Sequence, residues 1–398
     1  MSTSRPPDAT PTPDAAVDPQ GFDTYTANIG IKDETTDFAV VISQTDAVST
    51  GVYTRSRFAG PSVTLSREVT ARGHARGLVV ISKNANVANG QRGVDDAIEL
   101  RRHVADAVGI EADDLVVAST GVIGRSYPMD RIRTATEELA WPPSTNAGFD
   151  EVARAIMTTD THPKVGRARI GSATMVGIAK GVGMIEPDMA PLLTFFFTDA
   201  DVSGIDVGAV FRSVMSRTFN ALSIDTDTST SDTAVLFANG LAGPVDPGEF
   251  AVALEAIALD LVLMIAADGE GATKVIEVIV TGARDDAQAK RVAKAIVNSP
   301  LVKTAVHGAD PNWGRVVMAI GKCHDETDID ADRVTVSIGG VEMYPATIDD
   351  GQLASASAHM GGERVLITAD LGIDGGEFTV YGCDLTDGYV RINADYTT

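Results

Sequence analysis

The sequence predicts an α/β protein built on mixed sheets, and three observations carry that expectation. Short β-branched runs recur along the chain, segments of helical spacing fall between them, and glycine-containing turns separate the two. Phe38–Ser43 (FAVVIS) and Gly77–Ser82 (GLVVIS) read as buried strands. Val94–Val108 repeats its apolar residues at helical spacing and stops at Gly109, which is placed to close the helix in a left-handed conformation. Leu115–Ser119 is a further buried strand that runs directly into Thr120 and Gly121. In the second half, Lys274–Thr281 reads as a strand whose apolar residues surround one acid, Glu277. Asp285 and Asp286 then open a helix through Ile296, with acids at the positive end of its dipole. Val334–Ile338, Arg364–Ala369 and Glu377–Gly382 complete the strand set. No short-period repeat is present, and the pattern alone does not order the strands.

At 398 residues the chain is long enough for two cores, and 44% hydrophobic with 22% charged residues is an ordinary globular composition. Residues 1–20 differ: five prolines and few large apolar groups predict a disordered tail. The net charge of −23 argues against nucleic acid or an anionic membrane surface as a partner, because such contacts need clustered Lys and Arg. Two distant cysteines, Cys323 and Cys383, make neither a disulfide framework nor a zinc site, and the six histidines show no metal spacing. No metal and no cofactor are expected. The N-terminal residues lack the pattern of a signal peptide, and the apolar helix expected over Val252–Ala267 reads as too short and too charged to span a bilayer. A soluble, cytoplasmic protein is expected.

Five stretches carry candidate chemistry. Ser119–Gly124 (STGVIG) is a strand end followed by a glycine turn whose N–H groups could face an oxyanion, or a plain turn. Ile156–Thr161 (IMTTDT) crowds hydroxyls with a carboxylate, as a pocket wall or a helix cap. Lys180–Pro191 (KGVGMIEPDMAP) is glycine-rich but lacks the spacing of a phosphate loop. Ser223–Thr233 packs hydroxyls around Asp225 and Asp227, without the glycine and closing glutamate of a calcium loop. His307–Arg315 (HGADPNWGR) offers His, Asp, Asn, Trp and Arg for a pocket, or a structural histidine. Residue chemistry alone reaches a soluble α/β enzyme with a polar, glycine-lined site.

Taken together and in this order, these segments resemble the ornithine acetyltransferases, the bifunctional ArgJ family of arginine biosynthesis (glutamate N-acetyltransferases). The likeness runs from about Gly30 to Thr398 through STGVIGR, AIMTTDT, KGVGMIEPDMA, DTDTSTSDT, DGEGATK, NSPLVKTAVHGADPNWGR and RINADYTT. YTRSRFAGPSV and FTVYGCDLTDGYVRINADYTT look especially close to the paralogues of clavulanic-acid gene clusters. The resemblance implies a two-layered DmpA/ArgJ-like fold, akin to DmpA-type aminopeptidases rather than to N-terminal-nucleophile hydrolases. It also implies a precursor that cuts itself between Ala and Thr, after which the new N-terminal threonine carries acetyl from N-acetyl-L-ornithine to L-glutamate in a ping-pong cycle. Cleavage needs a hydroxyl one residue beyond the scissile carbonyl, and the freed α-amine then serves as its base. Carried over residue by residue, Thr120 and Gly121 match the oxyanion hole, and Thr158, Lys180, Glu270, Asn393 and Thr398 match substrate-binding positions. Lys180 would meet a substrate carboxylate and Glu270 an ammonium group.

The family's cleavage site falls at Ala190–Pro191, so that proline stands at the position of the nucleophilic threonine. A proline has no hydroxyl for the N-to-O acyl shift. Two readings follow: a transferase of this family with altered nucleophilic chemistry, or an uncleaved, silent relative that binds N-acetylated amino acids or pairs with an active paralogue. Residues 21–190 and 191–398 would correspond to the family's α and β chains. The expected assembly is a homodimer of uncleaved chains, in place of the family's α2β2 heterotetramer.

Overall fold

The structure is a computed structural model that describes residues 17–32, 34–186 and 192–395. Eight strands form one large sheet: β1 (Phe22–Ala27), β2 (Phe38–Tyr53), β3 (His74–Ile81), β4 (Leu115–Ser119), β5 (Lys164–Ile170), β6 (Ala173–Lys180), β7 (Leu193–Asp201) and β8 (Thr233–Pro244). Their order is β4-β3-β2-β8-β7-β6-β5, with β1 pairing alongside β2. Five more strands, β9 (Val275–Ala283), β10 (Thr335–Ile338), β11 (Val341–Tyr344), β12 (Arg364–Asp370) and β13 (Gly376–Cys383), form a second sheet in the order β11-β10-β12-β9-β13. Both sheets mix parallel and antiparallel pairs: β7 runs parallel to β8, and β9 parallel to β12.

The helices are α1 (Pro61–Ala71), α2 (Gly90–Val108), α3 (Met129–Glu137), α4 (Phe149–Ala155), α5 (Val207–Arg217), α6 (Pro247–Ala267), α7 (Asp286–Val297), α8 (Pro300–His307), α9 (Trp313–Gly321), α10 (Asp350–Met360) and α11 (Asp387–Asp395). β7 shows how they are arranged. Phe196 packs towards α5 and α6, whereas Phe195 and Phe197 point to the opposite face, against α1 and α4. Successive strand residues point to opposite faces. A strand with large apolar residues on both faces therefore needs helices on both sides, and the large sheet stands in three layers instead of the two that the resemblance implied. One face of the second sheet packs Ile276, Val278 and Val280 among α7, α9 and α10 residues, and the other meets α6 at one end through Val275, Tyr381 and Cys383. Glu277 lies on its other face and pairs there with Arg364 at 2.7 Å, which accounts for the acid within that apolar strand.

Most elements expected from the sequence are present with shifted ends. β4 spans Leu115–Ser119 as read, while the helix expected from Val94 begins four residues earlier, at Gly90. Gly109 does close that helix, at φ 74°. Residues 17–20, inside the expected disordered tail, are fastened to the sheet. Asp18 pairs with Arg167 at 2.9 Å, and Gln20 N–H donates to Asp199 at 3.0 Å. The division at residues 190/191 falls within the large sheet, since β6 and β7 on its two sides pair antiparallel.

The apolar helix also needs correction. It begins at Pro247, where the Asp246 carboxylate accepts the Gly248 and Glu249 N–H groups at 2.8 and 3.0 Å. With 21 residues and a stretch of mean hydropathy 2.3, α6 is long and apolar enough to cross a membrane. Its packing is that of a core helix: Phe250, Leu254, Leu261 and Ile265 are fully buried in the cluster formed with β5, β6 and α5. Leu254→Ala is expected to cost about 2–5 kcal/mol in urea unfolding through lost burial and a residual cavity. Val252, 69% exposed on the same helix, should change stability by under about 0.5 kcal/mol when cut to alanine. Equal costs would contradict the packing described.

Candidate functional site

β4 delivers the chain to Thr120 and Gly121. Thr120 N–H donates to Ile81 O at 3.1 Å and Val122 N–H to Lys83 O at 3.4 Å, so the turn is laced to the chain leaving β3. Gly121 sits at φ +126°, and a Cβ there would stand 2.3 Å from the Lys83 carbonyl carbon. Only glycine meets both conditions.

The second stretch follows α4 and caps no helix N-terminus; Thr158 and Thr159 instead turn to the cleft beside Thr120. Thr158 Oγ1 accepts from Lys180 Nζ at 3.1 Å, and Thr159 Oγ1 donates to Glu270 at 3.2 Å. Lys180, the last residue of β6, also donates to Thr120 Oγ1 at 3.1 Å. One ammonium group thus joins the first three stretches. Beyond it, Gly183 lies so close to Glu270 that a Cβ would approach Oε2 to 2.5 Å.

The fourth stretch is a clamp. Asp225 accepts the N–H groups of Met184 and Ile185 at 2.7 and 2.9 Å, and Asp227 O accepts that of Glu186 at 2.9 Å. Its continuation, Ser229–Ser231, lines the cleft. From the C-terminal end, Asn393 on α11 donates to Glu270 Oε2 at 2.8 Å. Among the described residues no group of three or more His, Cys, Asp or Glu is placed to hold a metal ion.

Six of the residues singled out in the sequence therefore share one cleft: Thr120, Gly121, Thr158, Lys180, Glu270 and Asn393. Ala190, Pro191 and Thr398 lie outside the described residues. The fifth stretch does not join the cleft lining. His307 pairs with Asp384 at 3.0 Å, and Trp313 stacks on Tyr344, so that loop serves the second sheet. Thr194 and Thr198 are also excluded as cleft hydroxyls. Both are fully buried in β7 and donate to Ile178 O and Thr174 O of β6 at 3.0 and 2.8 Å.

Two wider surface clefts, of about 470 and 480 Å³, lie near Arg131, against about 100 Å³ for this one. Size does not decide the matter, because only the small cleft gathers a buried ammonium, hydroxyls and a carboxylate about one point. Burial pushes the Lys180 ammonium below its ordinary pKa, opposed by the charges of Asp160, Asp232 and Glu270. Burial likewise pushes the Asp232 carboxyl well above the usual range, and its Oδ1 has no partner among the described residues. Asp160 goes the other way. Burial alone would raise it, but the charges of Lys180 and Lys164 and the Gly181 N–H hold it below the ordinary value. Sequence reasoning passed over Asp160, Lys164, Asp232 and Asp268. The first and third lie inside stretches it had marked, but nothing in the pattern says which member of a polar run is buried.

The profile of the ArgJ family matches residues 23–398. The chain is 61% identical over 386 residues to glutamate N-acetyltransferase Oat2 of Streptomyces clavuligerus, covering 96% of this chain and 98% of that protein. It is 57% identical to arginine biosynthesis bifunctional protein ArgJ 2 of a Nostoc species, over 96% of this chain and 99% of that protein. Arginine biosynthesis bifunctional protein ArgJ of Rhodococcoides fascians is 54% identical, with 96% of each chain covered.

Gly183→Ala tests the wall formed by Glu270 and Asn393. The added methyl must displace the Glu270 carboxylate, so α11 loses the Asn393 contact, and hydrogen–deuterium exchange across residues 387–395 should rise. Unchanged exchange there would show that this contact does not hold the helix.

Proposed function

From the fact that the chain belongs to the ArgJ family, we propose that it is built as a glutamate N-acetyltransferase of the ornithine acetyltransferase type, with a cleft for N-acetyl-L-ornithine and L-glutamate. The observation that carries this reading is the convergence of Thr120, Gly121, Thr158, Lys180, Glu270 and Asn393 on one small cleft. An acetyl carbonyl resting at Thr120–Gly121 would place its oxygen where backbone N–H groups can meet developing negative charge. Lys180 supplies the cation for a substrate carboxylate, steadied by the hydroxyls of Thr120 and Thr158. Glu270, positioned by Thr159 and Asn393, supplies the anion for an ammonium group. A zwitterionic, N-acylated amino acid satisfies all three. The reading requires no cofactor.

Pro191 bears on turnover rather than on the cleft. If that position is the family's nucleophile, the chain lacks the hydroxyl that both self-cleavage and the acyl-enzyme require. The hydroxyls of Thr194 and Thr198 are committed within β7 and β6 and do not replace it. Pro191 is therefore the specific observation behind a second reading. In it the protein is an uncleaved relative that binds N-acetylated amino acids or pairs with an active paralogue, as a homodimer of intact chains in the cytoplasm.

The intact mass of purified protein separates the readings. A single chain of 41.6 kDa with no acetyl transfer from N-acetyl-L-ornithine to L-glutamate is the outcome expected from Pro191. Two fragments divided near residue 190, or transfer by the whole chain, would contradict it. Pro191→Thr is expected to restore cleavage. If that variant stays whole, the scissile geometry has been lost as well.

A further inference from the structure

Behind the cleft lies a set of charges that the proposed function does not use. Lys164, on β5, is completely buried, and its Nζ donates to Asp160 at 2.8 Å and to Asp268 at 2.6 Å. Both carboxylates are buried, their side chains being 0% and 4% exposed. Buried charges persist only when paired and hydrogen-bonded, and here each acceptor is also bound by backbone. Asp268 takes the Thr161 N–H at 3.1 Å. Asp160 takes two N–H groups, that of Gly181 at 2.6 Å and that of Thr158 at 3.1 Å.

Those two N–H groups are the notable partners. Gly181 follows Lys180 in the chain, and Thr158 carries the hydroxyl that accepts one of the Lys180 hydrogen bonds. A single carboxylate thus fixes both ends of the Thr158–Lys180 contact. It is also the strongest attraction on the Lys180 ammonium. Asp232 and Glu270 attract that group less, and Lys164 repels it. Lys164 in turn holds Asp160 in place.

We propose that Asp160, held by Lys164, is the positioning residue that keeps the Lys180 ammonium both charged and aimed into the cleft to receive the carboxylate of an N-acylated amino acid. The ligand class rests on the proposed function; the effect on Lys180 does not. Without the Asp160 charge, burial would act on Lys180 with less opposition, and its proton would leave at lower pH.

The experiment compares the full-length wild type with Asp160→Asn and with Asp199→Asn. Asp199 is a control of the same kind, a buried carboxylate that accepts two backbone N–H groups, of Gln20 and Thr174, far from the cleft. Competitive labelling of Lys180 by acetic anhydride across a pH series, read on its peptide by mass spectrometry, reports the protonation of that amine. In Asp160→Asn the labelling midpoint is expected to fall by about one pH unit and calorimetric affinity for N-acetyl-L-ornithine about tenfold. Asp199→Asn should lower the melting temperature and move neither readout. A wild-type labelling profile or a wild-type affinity in Asp160→Asn would overturn the proposal, as would equal shifts in the control. If the wild type does not bind N-acetyl-L-ornithine, the proposed substrate is wrong and the labelling shift alone decides the role of Asp160. If Asp160→Asn cannot be recovered folded, Asp160→Asn with Lys164→Met and Asp268→Asn removes all three buried charges together and strands none of them. The labelling shift keeps its direction there, because Asp160 acts on Lys180 more strongly than Lys164 does.

Discussion

Lys180 ends β6 with its ammonium group withdrawn from water, and the layout of the site can be read as a response to that placement. A buried cation needs counter-charge and hydrogen-bond acceptors within reach. The acceptors are hydroxyls from two different loops, Thr120 and Thr158. The counter-charge comes from Asp160, in the same loop as Thr158, and from Asp232 and Glu270 on other segments. Two of those groups are then anchored by something else. Lys164 and two N–H groups hold Asp160, while Thr159 and Asn393 hold Glu270. Strand β6 supplies the fixed point, with every residue buried between helices on both faces. A charge on a rigid strand end is what a site needs if it is to recognise a carboxylate without rearranging.

The same strand end bears on the question of cleavage. Chain leaving β6 is pinned at Met184–Glu186 by Asp225 and Asp227, and it is fastened again at Leu192, whose carbonyl accepts from Thr233 at 2.7 Å. The two clamps belong to one polar stretch, residues 225–233, which explains why so many hydroxyl and carboxyl groups crowd there. On the proposed reading, self-cleavage and recognition depend on different atoms, so that Pro191 bears on the first and not on the second.

Strand periodicity and turn residues made much of this legible in the sequence. The runs at Leu115–Ser119 and Arg364–Asp370 are strands because β-branched residues at consecutive positions suit a buried sheet, and Gly109 ends α2 because the chain there must enter a left-handed conformation. Helix α6 starts five residues before the expected Val252, at Pro247. Glu255 and Asp260 suggested a broken span, and the Asp246–Pro247 start was not recognised as a cap. The motif segments pointed to the cleft, but the buried charges behind it did not declare themselves. Lys164 and Asp268 are a hundred residues apart, and only the packing of α6 on β5 brings them to 2.6 Å. His307 takes the structural alternative: it is engaged by Asp384, just beyond the last strand of the second sheet.

The central claim is that an intact chain carries a working recognition site for an N-acetylated amino acid. A crystal structure of the uncleaved protein grown with N-acetyl-L-ornithine tests it most directly. The ligand should lie in the small cleft, with its carboxylate on Lys180 and its acetyl oxygen at Thr120–Gly121. An empty cleft at saturating ligand, or density in one of the wider clefts beside Arg131, would contradict the account.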